Sequence, residues 1–310
     1  MNRFYSNGKL LLTGEYVVLD GALSLALPTN YGQSLTVEII DEPKIIWQSF
    51  DENDAIWFES KFDLKNNGIL KPIQNNNQES ERLYKILKAA KQLNPSFLIT
   101  DPGFHIKTKL DFPINWGLGT SSTLINNIAN WANVDAYKLL KLTFGGSGYD
   151  IACAQHDKAI TYKLEKPFDC ALVDKRIVKE VHFNPEFSEN LYFVYLNKKQ
   201  NSREGIAHYK ANALNNTQVI SEISDITLKL INCKNLKEFE SLINLHEGII
   251  SKTIKQKTVK ELLFKDFKGS IKSLGAWGGD FVLVTSIDNP RAYFESKGFN
   301  TIITYSKMII

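Results

Sequence analysis

The chain has 310 residues, enough for two domains with separate hydrophobic cores. Its 37 Lys and Arg against 34 Asp and Glu leave a formal charge of +3, too small and too evenly spread to indicate a nucleic-acid partner. Cys153, Cys170 and Cys233 are far apart and lack Cys-x-x-Cys spacing, which argues against a disulfide framework or a zinc site. The opening MNRFYSNGK has no apolar core after its basic residue, and no apolar run approaches a membrane span. A cytoplasmic location without a membrane partner is expected.

From Lys9 the sequence KLLLTGEYVVLDGALSLALP predicts a strand, a turn at Gly14, a second strand, a turn at Asp20-Gly21 and a third short strand. Gln33 to Ile40 continues with period-two alternation, and strands are expected at Ile45 to Gln48 and Ile56 to Phe62, all in one antiparallel sheet. Asn66 to Gln78 reads as a loop. Leu83, Ile86, Leu87 and Ala90 then fall on one face of a helix from Glu79 to Leu93, and Phe104 to Leu110 returns as a strand.

That strand leads into PINWGLGTSST, Pro113 to Thr123. Gly117 and Gly119 flank Leu118 and permit positive φ, so backbone N–H groups can converge on one point. Thr120, Ser121 and Ser122 supply hydroxyls at the start of a predicted helix, LINNIANWANV, whose open N–H groups and positive end favour phosphate. A serine hydroxyl there can also ligate magnesium. No Gly-Lys-Ser/Thr closes the glycine run, so the lysine of a phosphate site must come from elsewhere, and Lys9 is the candidate. The same residues also suit a tight strand-to-helix turn with Ser/Thr capping.

Asp135 sits at an expected N-cap before AYKLLKLTF, and Gly145-Gly146 breaks the chain ahead of SGYDIACAQ. There Asp150 opens a small-residue helix, either as its cap or as a catalytic group. Strands are predicted near Ala159 to Leu164, Cys170 to Val173, Ile177 to His182 and Leu191 to Leu196. Helices follow at Ser202 to Asn215, Gln218 to Ile231, Leu236 to Ile250 and Val259 to Phe267. The end reads as strand Ser270 to Ala276, a turn through Trp277-Gly278-Gly279, strand Phe281 to Thr285, a helix from Asn289 to Lys297 and strand Thr301 to Tyr305. The composition shift near residue 165 divides the chain into domains 1–165 and 166–310, both of class α+β.

Three motifs, NGKLLLTGEYVVLDG at Asn7 to Gly21, PINWGLGTSST and SLGAWGGDFVL at Ser273 to Leu283, together resemble the GHMP small-molecule kinases. GSGYDIA at Gly146 to Ala152 is similar to the GYDIA-type members and to the Ser-Gly-x-Asp motif of mevalonate kinases. The resemblance covers nearly the whole chain. It implies an N-terminal domain like domain 2 of ribosomal protein S5, a ferredoxin-like C-terminal domain, and ATP with Mg2+. By the same resemblance Asp150 is the base toward the substrate hydroxyl and Lys9 the lysine that depresses its pKa and steadies the phosphoryl group. Gly117, Leu118, Gly119, Thr120, Ser121 and Ser122 form the ATP phosphate loop, with Ser121 the magnesium ligand. Glu15 and Tyr16, together with the turn of Gly275, Ala276, Gly278 and Gly279, lie on the substrate side. Tyr16 departs from the family's Glu-His pair, Trp277 replaces a glycine and Leu274 a Thr or Ser. Leu139 occupies the spacing of the magnesium-ligating glutamate of mevalonate kinases.

The expected activity is ATP-dependent phosphorylation of a hydroxyl on a small carboxylated metabolite, with mevalonate the leading candidate. The alternatives are a phosphomevalonate kinase, for which Lys198, Lys199 and Arg203 offer extra cations, a diphosphomevalonate decarboxylase, or a non-catalytic nucleotide-binding homologue. The expected partner is the small-molecule substrate, with no nucleic acid, and a homodimer is left open.

Overall fold

The computed structural model describes residues 1–65, 68–69, 77–98, 103–165, 175–212 and 217–310. The expected strand Cys170–Val173 and most of the loop Asn66–Gln78 lie outside the described residues, Gly68–Ile69 within that loop being strand, and the boundary near residue 165 adjoins such a stretch. The chain divides into two compact units that interleave in sequence. The first comprises Met1–Gly8, Tyr31–Ile114 and Leu118–Gln155, and the second Lys9–Asn30, Asn115–Gly117 and His156–Ile310.

Strands β1 (Asn2–Leu11) and β2 (Ser24–Ile40) each contribute residues to both units. The first unit adds β3 (Lys44–Phe50), β4 (Ile56–Lys65), β5 (Gly68–Ile69), helix α1 (Gln78–Leu93), β6 (Gly103–Leu110), and helices α2 (Thr120–Ala132), α3 (Ala136–Thr143) and α4 (Tyr149–Ala154). Its strands run in the order β5-β4-β3-β6-β2. β6 is antiparallel to β2, with Val37 opposite Ile106, but parallel to β3, with Trp47 also opposite Ile106. The sheet is therefore mixed, not wholly antiparallel as the alternation suggests. A long connection containing α1 separates β3 from β6, and a crossover of that length allows parallel pairing that a short hairpin forbids. Leu35, Val37, Ile45, Trp47, Phe62 and Ile106 share one core with Leu83, Ile86 and Leu87 of α1 and Ile125, Ile128 and Ala129 of α2. The predicted face of α1 is the buried one. Asp135 caps α3 as expected, its Oδ1 accepting the Lys138 N–H at 2.9 Å.

In the second unit, the expected second strand after Gly14 is instead a single 3-10 turn, Val17–Asp20. Gly14 at φ +93° and Tyr16 at φ +64° reverse the chain within three residues, which leaves no extended stretch to pair. Strand β7 (Ile160–Glu165) is antiparallel to Ser24–Ala26 of β2 and to β8 (Lys175–Glu180). Next come β9 (Leu191–Tyr195), helices α5 (Ser202–Asn212), α6 (Thr217–Ile231), α7 (Leu236–Ile254) and α8 (Val259–Leu263), β10 (Ile271–Ser273), β11 (Phe281–Thr285), α9 (Arg291–Ser296), β12 (Ile302–Thr304) and α10 (Tyr305–Met308). Four strands form an antiparallel sheet in the order β10-β11-β9-β12, and all five residues of β11 are buried. Val194, Val282 and Val284 of this sheet pack with Phe264 and Phe294. α8 is shorter than predicted because a capping box of Thr258 and Glu261 starts it but Phe264 leaves helical geometry at φ −137°, and β10 stops at Ser273, ahead of the left-handed Gly275. Among the described residues, no helix is long and apolar enough to cross a membrane.

Candidate functional site

The glycine-rich stretch is shared out by the fold: Asn115–Gly117 belongs to the second unit, and Leu118 begins a segment of the first. In the first unit Gly119 is the N-cap of α2, left-handed at φ +99°, and no side chain caps the helix. The N–H groups of the first turn have no acceptor within the helix, and no acidic side chain lies there to compete for them. Ser122 is buried and donates to the Gly119 carbonyl at 2.8 Å, and Thr123 donates to Gln33 Oε1 at 2.9 Å. Ser121 is exposed. The Ser/Thr-capping reading of this turn is therefore set aside, because no hydroxyl accepts from the helix.

Asp150 is the second residue of α4, in its first turn, and the N-cap is Gly148 at φ +91°. The Asp150 Oδ1 accepts the adjacent Ile151 N–H at 3.1 Å, and no side chain caps α4, so Asp150 is not the cap either. α4 packs on α2 within this unit. A chain of neutral groups ties the two helices: Gln155 donates to Asn126 Oδ1 at 2.9 Å, and Asn126 donates to Ser6 Oγ at 2.9 Å. Ser6 donates to Asn127 Oδ1 at 2.7 Å, and Asn127 to the Gln33 carbonyl at 2.8 Å. The helix carrying Ser121 and the helix carrying Asp150 are thus tied to each other by side-chain amides, buried at Asn126 and Asn127 and exposed at Gln155. Leu139 is fully buried in the apolar core of this unit.

In the second unit Lys9 Nζ donates to the Gly117 carbonyl at 2.9 Å. A side chain at Gly117 is precluded twice, by its φ of +70° and because a Cβ would lie 2.3 Å from the Asp280 carboxyl carbon. Asp280 is a residue that motif matching overlooks. It follows the Gly278-Gly279 turn at φ +53°, and its Oδ1 accepts the Gln200 N–H at 3.2 Å. Burial raises its pKa, while the positive charge of Lys9 pulls the other way. An acidic residue directly after a Gly-Gly turn, in a left-handed conformation, is the signal that could have found it. Lys198, Lys199 and Arg203 are exposed, and Lys199 contributes to the field at Asp280.

Glu15 is 1% exposed. Its carboxylate pairs with the ammonium of Lys272, itself fully buried, and its Oε2 lies 3.3 Å from His246 Nε2. Burial raises the Glu15 pKa against the pull of Lys272. His246 Nε2 accepts the Gly14 N–H at 3.0 Å, which places the ring proton on Nδ1, and burial holds the imidazole neutral to well below its usual range. Glu247 Oε1 accepts from Ser273 N–H and Oγ–H, and burial pushes the Glu247 pKa up to about 7. Tyr16 is buried, and its hydroxyl accepts the Trp277 N–H at 3.0 Å. Gly275 and Gly278 have φ of +69° and +88°, while Ala276, Trp277 and Leu274 are buried.

Among the described residues, no three His, Cys, Asp or Glu side chains are grouped to hold a metal ion. The donors present do not form a protein cage for Mg2+. An exposed hydroxyl at a helix N-terminus suits an ion that keeps several waters and takes its remaining ligands from phosphates. The open N–H groups of α2 suit the phosphates of ATP.

No family model matches the sequence, and no curated protein matches it. Solved structures do. The mevalonate kinase of Methanococcus jannaschii is similar at 16% identity with a TM-score of 0.69, covering 97% of this chain and 96% of that one. The Streptococcus pneumoniae phosphomevalonate kinase, solved with phosphomevalonate and AMPPNP, is similar at 14% identity and a TM-score of 0.70, over 98% of this chain and all of that one. The Lactococcus lactis galactokinase, solved with galactose, is similar at 14% identity and a TM-score of 0.66, over 99% and 93% of the two chains. By these similarities, which run over nearly the whole of each chain, this chain has the GHMP kinase fold.

Proposed function

We propose that the protein is an ATP-dependent kinase that phosphorylates a hydroxyl of a small carboxylated metabolite, with mevalonate the first acceptor to test. The observation that carries this reading is the start of α2 in a chain of this fold: a left-handed glycine at the N-cap, no capping side chain, and Ser121 exposed beside it. We assign 1–165 to an S5-like domain and 166–310 to a ferredoxin-like domain; the four-stranded antiparallel sheet among helices supports the second.

In this reading the N–H groups of Thr120, Ser121 and Ser122, with the loop of Gly117, Leu118 and Gly119, hold the phosphates. Magnesium, when bound at Ser121, neutralises charge on them. Asp150 accepts the proton of the acceptor hydroxyl as its oxygen forms a bond to the γ-phosphorus and the bond to the leaving ADP oxygen breaks. Lys9 offers its charge to the equatorial oxygens. On the acceptor side, contact is assigned to the turn of Gly275, Ala276, Gly278 and Gly279, with the buried Glu15–Tyr16 corner supporting it.

An ADP-release assay over mevalonate, phosphomevalonate, homoserine and simple sugars tests the reading. Turnover with one acceptor, falling about 10²–10⁴-fold in Asp150→Asn with folding intact, is the expected result. Full turnover in Asp150→Asn removes the base assignment. Carbon dioxide released with ADP identifies a decarboxylase instead. Leu139, buried where mevalonate kinases carry a glutamate, favours a second reading, a nucleotide-binding protein without transfer. ATP binding that ignores magnesium, with no acceptor consumed, selects it.

A further inference from the structure

Glu15 and Tyr16 are adjacent in sequence, and each reaches the same distant segment, Ser273 to Trp277. Lys272, carried by the Glu15 carboxylate, donates to the Ser273 carbonyl at 2.9 Å. Glu247 Oε1 takes the other two polar groups of Ser273, its N–H at 3.1 Å and its hydroxyl at 2.7 Å. Every hydrogen-bonding group of Ser273 is thus engaged by a buried charged side chain. Four residues on, the Trp277 N–H donates to the Tyr16 hydroxyl.

The Tyr16 end is itself held. Its ring stacks on Tyr209, with centroids 5.7 Å apart, and Tyr209 donates to Asp20 Oδ2 at 2.5 Å. Gly205 leaves the room: a Cβ there would lie 2.8 Å from the Tyr16 hydroxyl oxygen. The backbone of Tyr16 sits at φ +64°, a conformation costing about 1–3 kcal/mol that persists only where its surroundings impose it. Beyond Ser273 the turn alternates buried Leu274, Ala276 and Trp277 with two open glycine positions. A Cβ at Gly275 or Gly278 would meet nothing within 4 Å, and both residues have left-handed backbones, which glycine adopts without cost.

We propose that Glu15, Lys272, Glu247 and Tyr16 are positioning residues: a buried brace that sets the 273–279 turn and so governs acceptor binding without touching the acceptor. The inference rests on the kinase reading for what the turn binds, but not for the brace. Two departures from the family pattern, Tyr16 for histidine and Trp277 for glycine, are then one device, since the phenol holds the tryptophan's backbone. The brace also accounts for a costly choice. A buried ion pair seldom stabilises more than apolar residues of equal volume, whereas its directional bonds fix where Ser273 lies.

Hydrogen exchange by mass spectrometry on the full chain tests the brace without any assay of activity. Tyr16→Phe removes one hydroxyl, and Glu15→Gln with Lys272→Met removes both charges at once, so that neither is left unpaired. In both variants the amides of 274–279 should exchange about tenfold faster, the change expected for one lost hydrogen bond, with α2 and α4 unchanged. With an acceptor in hand, its KM should rise while kcat and the KM for ATP hold. Unchanged exchange at 274–279 in both variants overturns the proposal, as does acceptor binding lost in Tyr16→Phe with exchange unchanged. Failure of every acceptor in the screen counts against the kinase reading alone, and the exchange result still decides the brace.

Discussion

Each unit of the chain buries a polar network, and the two are built from opposite chemistry. In the first unit Ser6, Asn126, Asn127, Gln155 and Gln33 join through neutral amides and one hydroxyl. In the second, Glu15, Lys272, His246 and Glu247 bring together two carboxylates, an ammonium and an imidazole, all 3% exposed or less. The neutral network has its partners. The ionic one leaves Glu15 Oε2, His246 Nδ1 and Glu247 Oε2 buried without a hydrogen-bond partner, as is the indole N–H of Trp277 nearby. Neutral amides can be satisfied pairwise whatever the pH, whereas a buried charge needs both a counter-charge and hydrogen bonds to every lone pair. A network of the first kind fixes two helices at small cost, and one of the second kind trades stability for placement and for a dependence on protons.

Breaking the ionic network from one side should have the largest effect. Lys272→Met leaves the buried Glu15 carboxylate without its counter-charge, and a loss of about 3–5 kcal/mol is expected in chemical denaturation. Adding Glu15→Gln should recover much of it, and no recovery would argue that the pair is not coupled.

The protonation of Glu247 comes next. Its pKa rises from 4.5 to about 7 on folding. The folded chain therefore holds this proton more tightly than the unfolded one, and the group lowers stability as pH climbs through that window. Glu247→Gln should gain on the wild type between pH 5 and pH 8, by up to about 3 kcal/mol at 1.36 kcal/mol per pH unit. His246 works oppositely. Held neutral when folded, it costs stability as pH falls below its unfolded value of 6.5, so His246→Gln should flatten the acid side of the same melting curve. A Glu247→Gln difference that does not vary with pH would mean that the carboxylate is not the group titrating.

The neutral network should respond less, and without pH dependence. Asn126→Ala strips Ser6 and Gln155 of a partner and should cost about 1–3 kcal/mol, equal at pH 5 and pH 8. Ser121→Ala should be smallest in stability, within about 0.5 kcal/mol, since the side chain is exposed and caps nothing. Its turnover should nonetheless fall, by about a hundredfold if a ligand of magnesium is lost, and recover in part as magnesium is raised. A lower melting temperature with normal turnover at limiting magnesium would remove the ligand assignment.

Much of the architecture was legible from residues in order. Periodicity located α1 by Leu83, Ile86 and Leu87, Asp135 marked the start of α3, and Gly117 and Gly119 announced left-handed backbone ahead of α2. These are local properties, decided within a turn or two of chain, where side-chain spacing and backbone sterics act directly. The 3-10 turn at Val17–Asp20 escaped the same reasoning because its valines are strand formers, and the left-handed Tyr16 overrode them.

What the tertiary structure alone decided is pairing at long range. Nothing in the alternation of β3 and β6 distinguishes parallel from antiparallel neighbours. Glu15 meets Lys272 across 257 positions, and Asp280 meets Gly117 and the field of Lys9 only once β11 is in its sheet. Single residues of ordinary type carry no mark of such partners. A glutamate reads alike whether it ends exposed or sealed beside a lysine, because burial is a property of the assembled core, set by what packs around the residue and not by the residue itself.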